Sequence, residues 1–280
     1  MDNIKSFTFK RPDFFDLNQI FDCGQCFRFD KSNEKENVFE GIAYGKFISI
    51  LQNKDSITIF GSDENDFEKI WRNFFALDEQ YQDIRSDILA KFKNDKTILL
   101  AMEKGKGIRI LRQEPWEAVC SFIISQNNNI PRIKKIINSL SEKFGKEIRV
   151  GDKIYYSFPT ANALYNAGVD EIFALKTGFR AAYIYDAAKK VATGELDLSE
   201  ISKYDTEALI ENLMTVKGIG PTVASCAALF GFGKTNAFPI DVWVKKVIQK
   251  YYPQGIDIQS LGSYSGIAQQ YLFYYERYQN

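Results

Sequence analysis

The sequence predicts an α+β protein: an antiparallel sheet with a few helices over residues 1–105, then an all-helical part over 106–280. Three observations lead there. In the first hundred residues, β-branched and aromatic side chains alternate or cluster in short runs separated by polar turns. From Ile108 onward, apolar residues recur at helical spacing, with prolines opening runs and glycines following them. Finally, Gly218-Ile219-Gly220 sits between two such runs, as a tight turn between helices requires.

Taken in order, strands are expected at Val38 to Tyr44, Lys46 to Leu51 and Ser56 to Phe60, joined by turns at Tyr44-Gly45 and Asn53-Lys54-Asp55. A helix from about Asp63 to Phe75 should layer on the sheet, and a second helical stretch follows from Gln80 to Phe92. The boundary between the two parts falls near Glu103 to Gly107. Pro115 then opens a helix whose Ala118, Val119, Phe122 and Ile123 share one face, since proline in a first turn forfeits no hydrogen bond. Asn127-Asn128-Asn129 breaks that helix, Pro131 starts the next, and Gly145 should cap its end. Helices at Thr160 to Ala167, Asp170 to Lys176 and Ala181 to Val191 are each followed closely by glycine. One more is expected from Leu198 to Met214, and an aromatic-rich last one from Tyr264 to Tyr278.

Composition narrows the chemistry. The 280 residues are 45% hydrophobic, enough for a sizeable core in one large domain or two modest ones. No run approaches membrane-spanning length and Met1-Asp2-Asn3 does not open like a signal peptide, so a cytoplasmic, nucleoid-associated or nuclear protein is expected. Histidine is absent, which removes Ser-His-Asp and Cys-His catalysis, H-E-x-x-H metal chemistry and all imidazole acid–base work. Cys23 and Cys26 form a CxxC, but no second pair and no histidine stand by to complete a zinc site. The 36 basic residues balance 36 acidic ones, yet the charges are segregated. Between Lys217 and Lys250 lie five lysines (217, 234, 245, 246 and 250) and a single acid, whereas Asp63 to Asp83 holds seven acids against Lys69 and Arg72. A neutral chain can therefore still present a basic face to a polyanion.

The acid in the basic stretch is Asp241, nineteen positions after Thr222 and directly after Phe238-Pro239-Ile240. Ahead of it, Gly218 and Gly220 let the backbone approach a partner closely, and Pro221 starts a helix whose free turn amides can seat a phosphate. The run Gly218-Ile219-Gly220-Pro221-Thr222-Val223-Ala224-Ser225-Cys226, followed by Pro239-Ile240-Asp241-Val242, resembles the helix-hairpin-helix DNA glycosylases. The closer likeness is to the 8-oxoguanine DNA glycosylases, whose pattern is G-[IV]-G-x-K-V-A-x-C and then P-[IV]-D-V. Four other stretches are similar to that family: Cys23 to Phe29, Gly107 to Gln113 with Pro115, Ser121 to Ile133, and Gly266 to Phe273. The likeness thus covers nearly the whole chain.

The resemblance implies a base-excision-repair enzyme that swings 8-oxoguanine out of duplex DNA, opposite cytosine, breaks its N-glycosidic bond and nicks the strand. Asn127 would fill the vacated space and meet the stranded cytosine, with Arg132 and Arg180 donating to that base's acceptor edge. Phe179 would wedge into the stack. In the lesion pocket the carbonyl of Gly24 would accept the N7–H that 8-oxoguanine has and guanine lacks. Gln269 would bond the Watson–Crick edge, Phe273 and Cys226 would sandwich the ring, and Phe122 and Phe230 would complete the walls. Lys217 and Lys245, with the hairpin glycines, would face DNA phosphates. Chemistry needs no cofactor, but carbonyls of Met214, Val216 and Ile219 would converge on a hard cation such as calcium, magnesium, sodium or potassium. A monomer with no membrane partner is expected.

Two positions depart from the pattern. Asp241 would stabilise positive charge developing on the sugar, while the family's lysine attacks C1′ and forms a Schiff base. At the lysine position stands Thr222, whose hydroxyl has no route to an imine. Trp243 occupies the place where relatives often carry a phosphate-contacting histidine. A chain that binds the lesion but is crippled in cleavage is the leading expectation. The alternatives are a monofunctional glycosylase using an Asp241-activated water, and a non-catalytic module whose hairpin only holds phosphates.

Overall fold

The computed structural model describes residues 5–93 and 95–278. Five strands form one sheet: β1 (Ser6–Lys10), β2 (Phe29–Lys31), β3 (Val38–Ala43), β4 (Lys46–Gln52) and β5 (Ser56–Phe60), in the order β1-β5-β4-β3-β2 with every pair antiparallel. Strand alternation sets its buried face. Ile48 and Ile50 on β4 and Ile57 and Ile59 on β5 are fully buried, and Ile50 pairs with Ile59. Against that face pack α1 (Leu17–Asp22) and a continuous helical stretch made of α2 (Glu64–Asp66), a π-helical turn (Phe67–Trp71) and α3 (Arg72–Phe74). Trp71 and Phe74 are fully buried there, and the Trp71 indole N–H donates to the Ser62 hydroxyl at 2.7 Å, so its one polar atom is satisfied.

The expected three strands and both expected helices are present, and two strands were missed. β1 reads Ser-Phe-Thr-Phe-Lys and lies at a sheet edge, and β2 has only three residues, too few for a period to show. α1 is capped by Asp16, whose carboxylate takes the Asn18 amide.

Two further helices, α4 (Tyr81–Phe92) and α5 (Lys96–Lys104), precede the expected division at residue 105. Their Ile84, Ile88, Ile98 and Met102 nevertheless share a core with the helical part that follows. That part contains α6 (Pro115–Ser125), α7 (Ile130–Phe144), α8 (Ala161–Ile172), α9 (Arg180–Ala192), α10 (Leu198–Ile201), α11 (Thr206–Leu213), α12 (Pro221–Gly231), α13 (Val242–Tyr251) and α14 (Ser265–Arg277). A two-stranded hairpin, β6 (Glu147–Val150) with β7 (Lys153–Tyr156), interrupts it and was not anticipated.

One local expectation is corrected and another holds. The single helix from Leu198 to Met214 is two, because Asp197 and Asp205 each cap a new helix start and the Asp205 carboxylate takes the Ala208 amide at 2.8 Å. Gly145 ends α7 as expected, with extended backbone. A Cβ there would run into the Ser157 carbonyl, so the glycine admits the returning hairpin. Among the described residues, no helix is long and apolar enough to cross a membrane.

Candidate functional site

The turn between α11 and α12 gives the site its floor. Gly218 has φ +79° and a side chain there would overlap the Tyr183 ring, so both conformation and packing exclude a Cβ. Gly220 differs: its backbone is extended and nothing lies within 4 Å of where a Cβ would stand. That open amide surface lies at the N-terminus of an eleven-residue helix. The Lys217 amide donates to Asp186 at 2.8 Å, which ties the turn to α9 and leaves the Lys217 side chain exposed.

Asp241 is the N-cap of α13. Its Oδ1 accepts the amides of Trp243 (3.0 Å) and Val244 (2.8 Å). Burial nonetheless pushes its carboxyl above the ordinary range, opposed by those amides and, more distantly, by the Arg277 charge. Thr222, one residue into α12, donates its hydroxyl to the Ile240 carbonyl at 3.1 Å, immediately before Asp241. Burial, with the nearby Asp241, raises Cys226 far above the ordinary thiol range, so it presents a neutral, polarisable sulfur.

These groups open onto a cleft of about 920 Å³. Of the residues singled out from sequence, Gly24, Phe122, Cys226, Phe230, Gln269 and Phe273 line it. Thr222 and Asp241 line it as well, and Asn127, Phe179, Gly220 and Lys245 stand along its walls. Phe122 stacks on Phe230 with centroids 5.2 Å apart, making a flat apolar wall. Gln269 is 3% exposed and its Oε1 has no hydrogen-bond partner, one of four such buried side-chain atoms among the described residues and the one on a residue that lines the cleft. Phe179 is 53% exposed and Val242 66%, so large apolar side chains face solvent at this site.

Gly24 owes its position to a polar scaffold. Gln25 is fully buried; its amide donates to the carbonyls of Ile20 (3.0 Å) and Arg109 (2.8 Å) and accepts from Leu111 (2.9 Å). Gln270 on α14 donates to the Cys23 carbonyl at 2.6 Å, and the hydroxyl of Tyr278, just past the end of α14, to the Asp22 carbonyl at 2.8 Å. Gly24 itself has φ +79°, and a Cβ would lie 3.3 Å from the Phe273 ring. The loop is therefore locked against the face of α14 that carries Phe273. Neither buried thiol of the CxxC is near ionisation: burial pushes both Cys23 and Cys26 up to about 12.

Some expected residues lie outside the cleft lining. Arg132 is exposed and its guanidinium reaches the Lys176 carbonyl at 3.4 Å. Arg180, at 2% exposure, is turned inward: it donates to the carbonyls of Gln126, Asn127 (3.0 Å) and Thr177 (3.3 Å) and stacks 4.4 Å from the Phe179 ring. Gly218, Lys217 and the carbonyl-bearing Met214, Val216 and Ile219 belong to the turn beneath. Sequence reading missed Gln270 and Arg277 in the lining. Arg277 was within reach, because Gln269, Phe273 and Arg277 are spaced by four on one helix face.

Two family models cover most of the chain: "8-oxoguanine DNA glycosylase, N-terminal domain" over residues 7–119, and "HhH-GPD superfamily base excision DNA repair protein" over 120–257. The apo crystal structure of Clostridium acetobutylicum 8-oxoguanine glycosylase/lyase superposes with a TM-score of 0.90 at 37% identity, covering 97% of this chain and 96% of that one. The chain belongs to the 8-oxoguanine DNA glycosylase family. MBOgg1, solved with a low-affinity DNA ligand, gives a TM-score of 0.92, also at 37% identity, over 99% and 97% of the two chains. The N-glycosylase/DNA lyase of Saccharomyces cerevisiae is 38% identical over 159 residues, 52% of this chain and 42% of its own length. This family member thus spans less than half of that curated relative. The Clostridium enzyme has also been solved with double-stranded DNA containing cytosine opposite 8-oxoguanine, and that structure superposes with a TM-score of 0.87.

Proposed function

We propose that this chain binds duplex DNA, draws 8-oxoguanine paired with cytosine into the cleft, and is impaired in cutting because Thr222 stands where the family's lysine acts. The observation that carries the reading is the orphaned Gln269 Oε1, buried at the cleft that Gly24, Phe273 and Cys226 also line. An acceptor left dry costs stability unless a ligand supplies the donor, and the N–H groups on a purine's Watson–Crick edge are such donors. Asn127 and the exposed Phe179 suit filling and wedging the gap the base leaves. Lys217 and Lys245, both exposed, suit phosphates on either side.

Without an amine at position 222, Asp241 is the group we assign to glycosidic chemistry. Its raised carboxyl supports a second reading, in which it activates a water and releases the base without nicking the strand. Carbonyls of the Met214 to Gly220 turn would hold a hard cation bridging to phosphate; the Val216 carbonyl takes the Ile219 amide at 3.1 Å and keeps a second lone pair.

The test is binding and product analysis on duplexes carrying 8-oxoguanine or guanine opposite cytosine. Tighter binding to the lesion duplex with intact strands is expected. Alkali-labile sites without direct nicking would favour the water reading. Equal affinity for both duplexes, steeply weakened by salt, would reduce the chain to a phosphate-holding module.

A further inference from the structure

On α14, Gln269, Phe273 and Arg277 follow one another at four-residue spacing and all line the cleft. Arg277 Nη1 lies 3.4 Å from where a Gly24 Cβ would stand, and the Phe273 ring 3.3 Å from the same point. Aromatic face and cation therefore meet at Gly24, on the cleft that the Gln269 acceptor also lines. The guanidinium is weakly committed: it reaches the Asp22 carbonyl at 3.5 Å, lies 5.0 Å from the Tyr278 ring and 6.0 Å from that of Phe273. Among the described residues no carboxylate pairs with it. Of its five N–H donors, most are left for a ligand.

The chemistry of the lesion suits this arrangement. Oxidation at C8 changes guanine twice on one edge: N7 turns from acceptor to N–H donor, and C8–H becomes a carbonyl acceptor. An acceptor and a donor placed side by side would read both changes together. On the lesion-binding reading the Gly24 carbonyl would be the acceptor, and Arg277 is the neighbouring donor.

We propose that Arg277 is a specificity-determining residue of this chain, donating a hydrogen bond to the C8 oxygen of the extruded base beside the Gly24 carbonyl. The proposal rests on the lesion-binding reading above and adds direct recognition of O8 to it. The two rings orient the guanidinium plane, and the Asp22 carbonyl keeps it at the mouth of the pocket.

The test compares duplexes carrying 8-oxoguanine, 8-thioguanine or guanine opposite cytosine, bound by the native chain, Arg277→Ala and Arg277→Lys. The thio base keeps N7–H but offers sulfur, a poor acceptor. The native chain should prefer the oxo over the thio base by on the order of ten- to a hundred-fold, as a charge-assisted hydrogen bond gives. Arg277→Ala should erase that gap yet keep a preference for both lesions over guanine through Gly24, and Arg277→Lys, which preserves charge, should keep part of the gap. Equal weakening of Arg277→Ala on the oxo and thio duplexes would overturn the proposal and make the residue a clamp for the Asp22 segment. A native chain that prefers 8-oxoguanine to guanine but not oxo to thio would overturn it too. A native chain with no preference between 8-oxoguanine and guanine would sink the lesion-binding reading along with it.

Discussion

The Thr222 hydroxyl donates to the carbonyl of Ile240 at 3.1 Å, joining the first turn of α12 to the peptide that enters Asp241. The side chain at position 222 is thereby tied to the backbone that leads into Asp241, and both residues line the cleft. Replacing Thr222 with lysine removes this hydrogen bond, worth about 1 kcal/mol, and puts an amine in its place. Thr222→Lys should form borohydride-trappable covalent adducts with 8-oxoguanine duplexes, seen as a shifted band on a denaturing gel, while the native chain forms none. No adduct from a well-folded Thr222→Lys protein would show that this position does not face the sugar.

Gln269 should trade stability against affinity. Its buried Oε1 lacks a partner in the free protein, so Gln269→Leu, similar in size and apolar, should raise the melting temperature. The same change should weaken binding to the lesion duplex by roughly 1–3 kcal/mol. Calorimetric melting and fluorescence titration check the two halves separately; a variant that binds as tightly as the native chain would mean the amide does not touch the base.

Much of this was legible in the sequence because glycine and proline signal backbone needs directly. Pro115 and Pro221 stand in the first turns of α6 and α12, and Gly218 takes the positive φ its place in a turn required. Lining residues contributed by distant segments, such as Gly24, Cys226 and Phe273, were reachable only through family likeness, since no period within one segment says which strand loop meets which helix. Gln270 escaped for the opposite reason. Its role is to donate to the Cys23 carbonyl, 247 positions away in the chain, and a buried glutamine beside another carries no local mark of such a partner. The inward turn of Arg180 was hidden too, because an arginine that binds carbonyls looks in sequence like one that binds a base.

Asp241 should make stability depend on pH. Burial raises its carboxyl in the folded protein above its unfolded value. The folded state therefore holds the proton more tightly, and this contribution is complete below the unfolded pKa and lost as pH rises through the raised one. Asp241→Asn keeps the α13 cap but cannot ionise, so it should melt higher than the native chain at neutral pH and converge on it in acid. Asp241→Ala also loses the cap, at about 1 kcal/mol, and should fall below Asp241→Asn throughout. Parallel melting curves for native and Asp241→Asn chains across that range would contradict the burial effect.

The two arginines near the Asn127 loop should separate in what they control. Arg132 is exposed and makes only a long bond to the Lys176 carbonyl, so Arg132→Ala should leave the melting temperature nearly unchanged. Arg180 instead holds the Gln126 and Asn127 carbonyls from a buried position, and burial with the neighbouring Arg132 charge already pulls its pKa below the usual value. Arg180→Ala leaves those carbonyls without their donor and should cost on the order of 1–3 kcal/mol of stability. Both variants should also lose preference for cytosine opposite 8-oxoguanine. Arg132→Ala would do so through a missing donor on a well-ordered loop, and Arg180→Ala through a loosened Asn127. Competition binding against the four opposite bases, paired with hydrogen exchange at residues 126–129, distinguishes the two routes. Loss of cytosine preference in Arg180→Ala with unchanged exchange would mean that its guanidinium leaves the loop and meets the base directly.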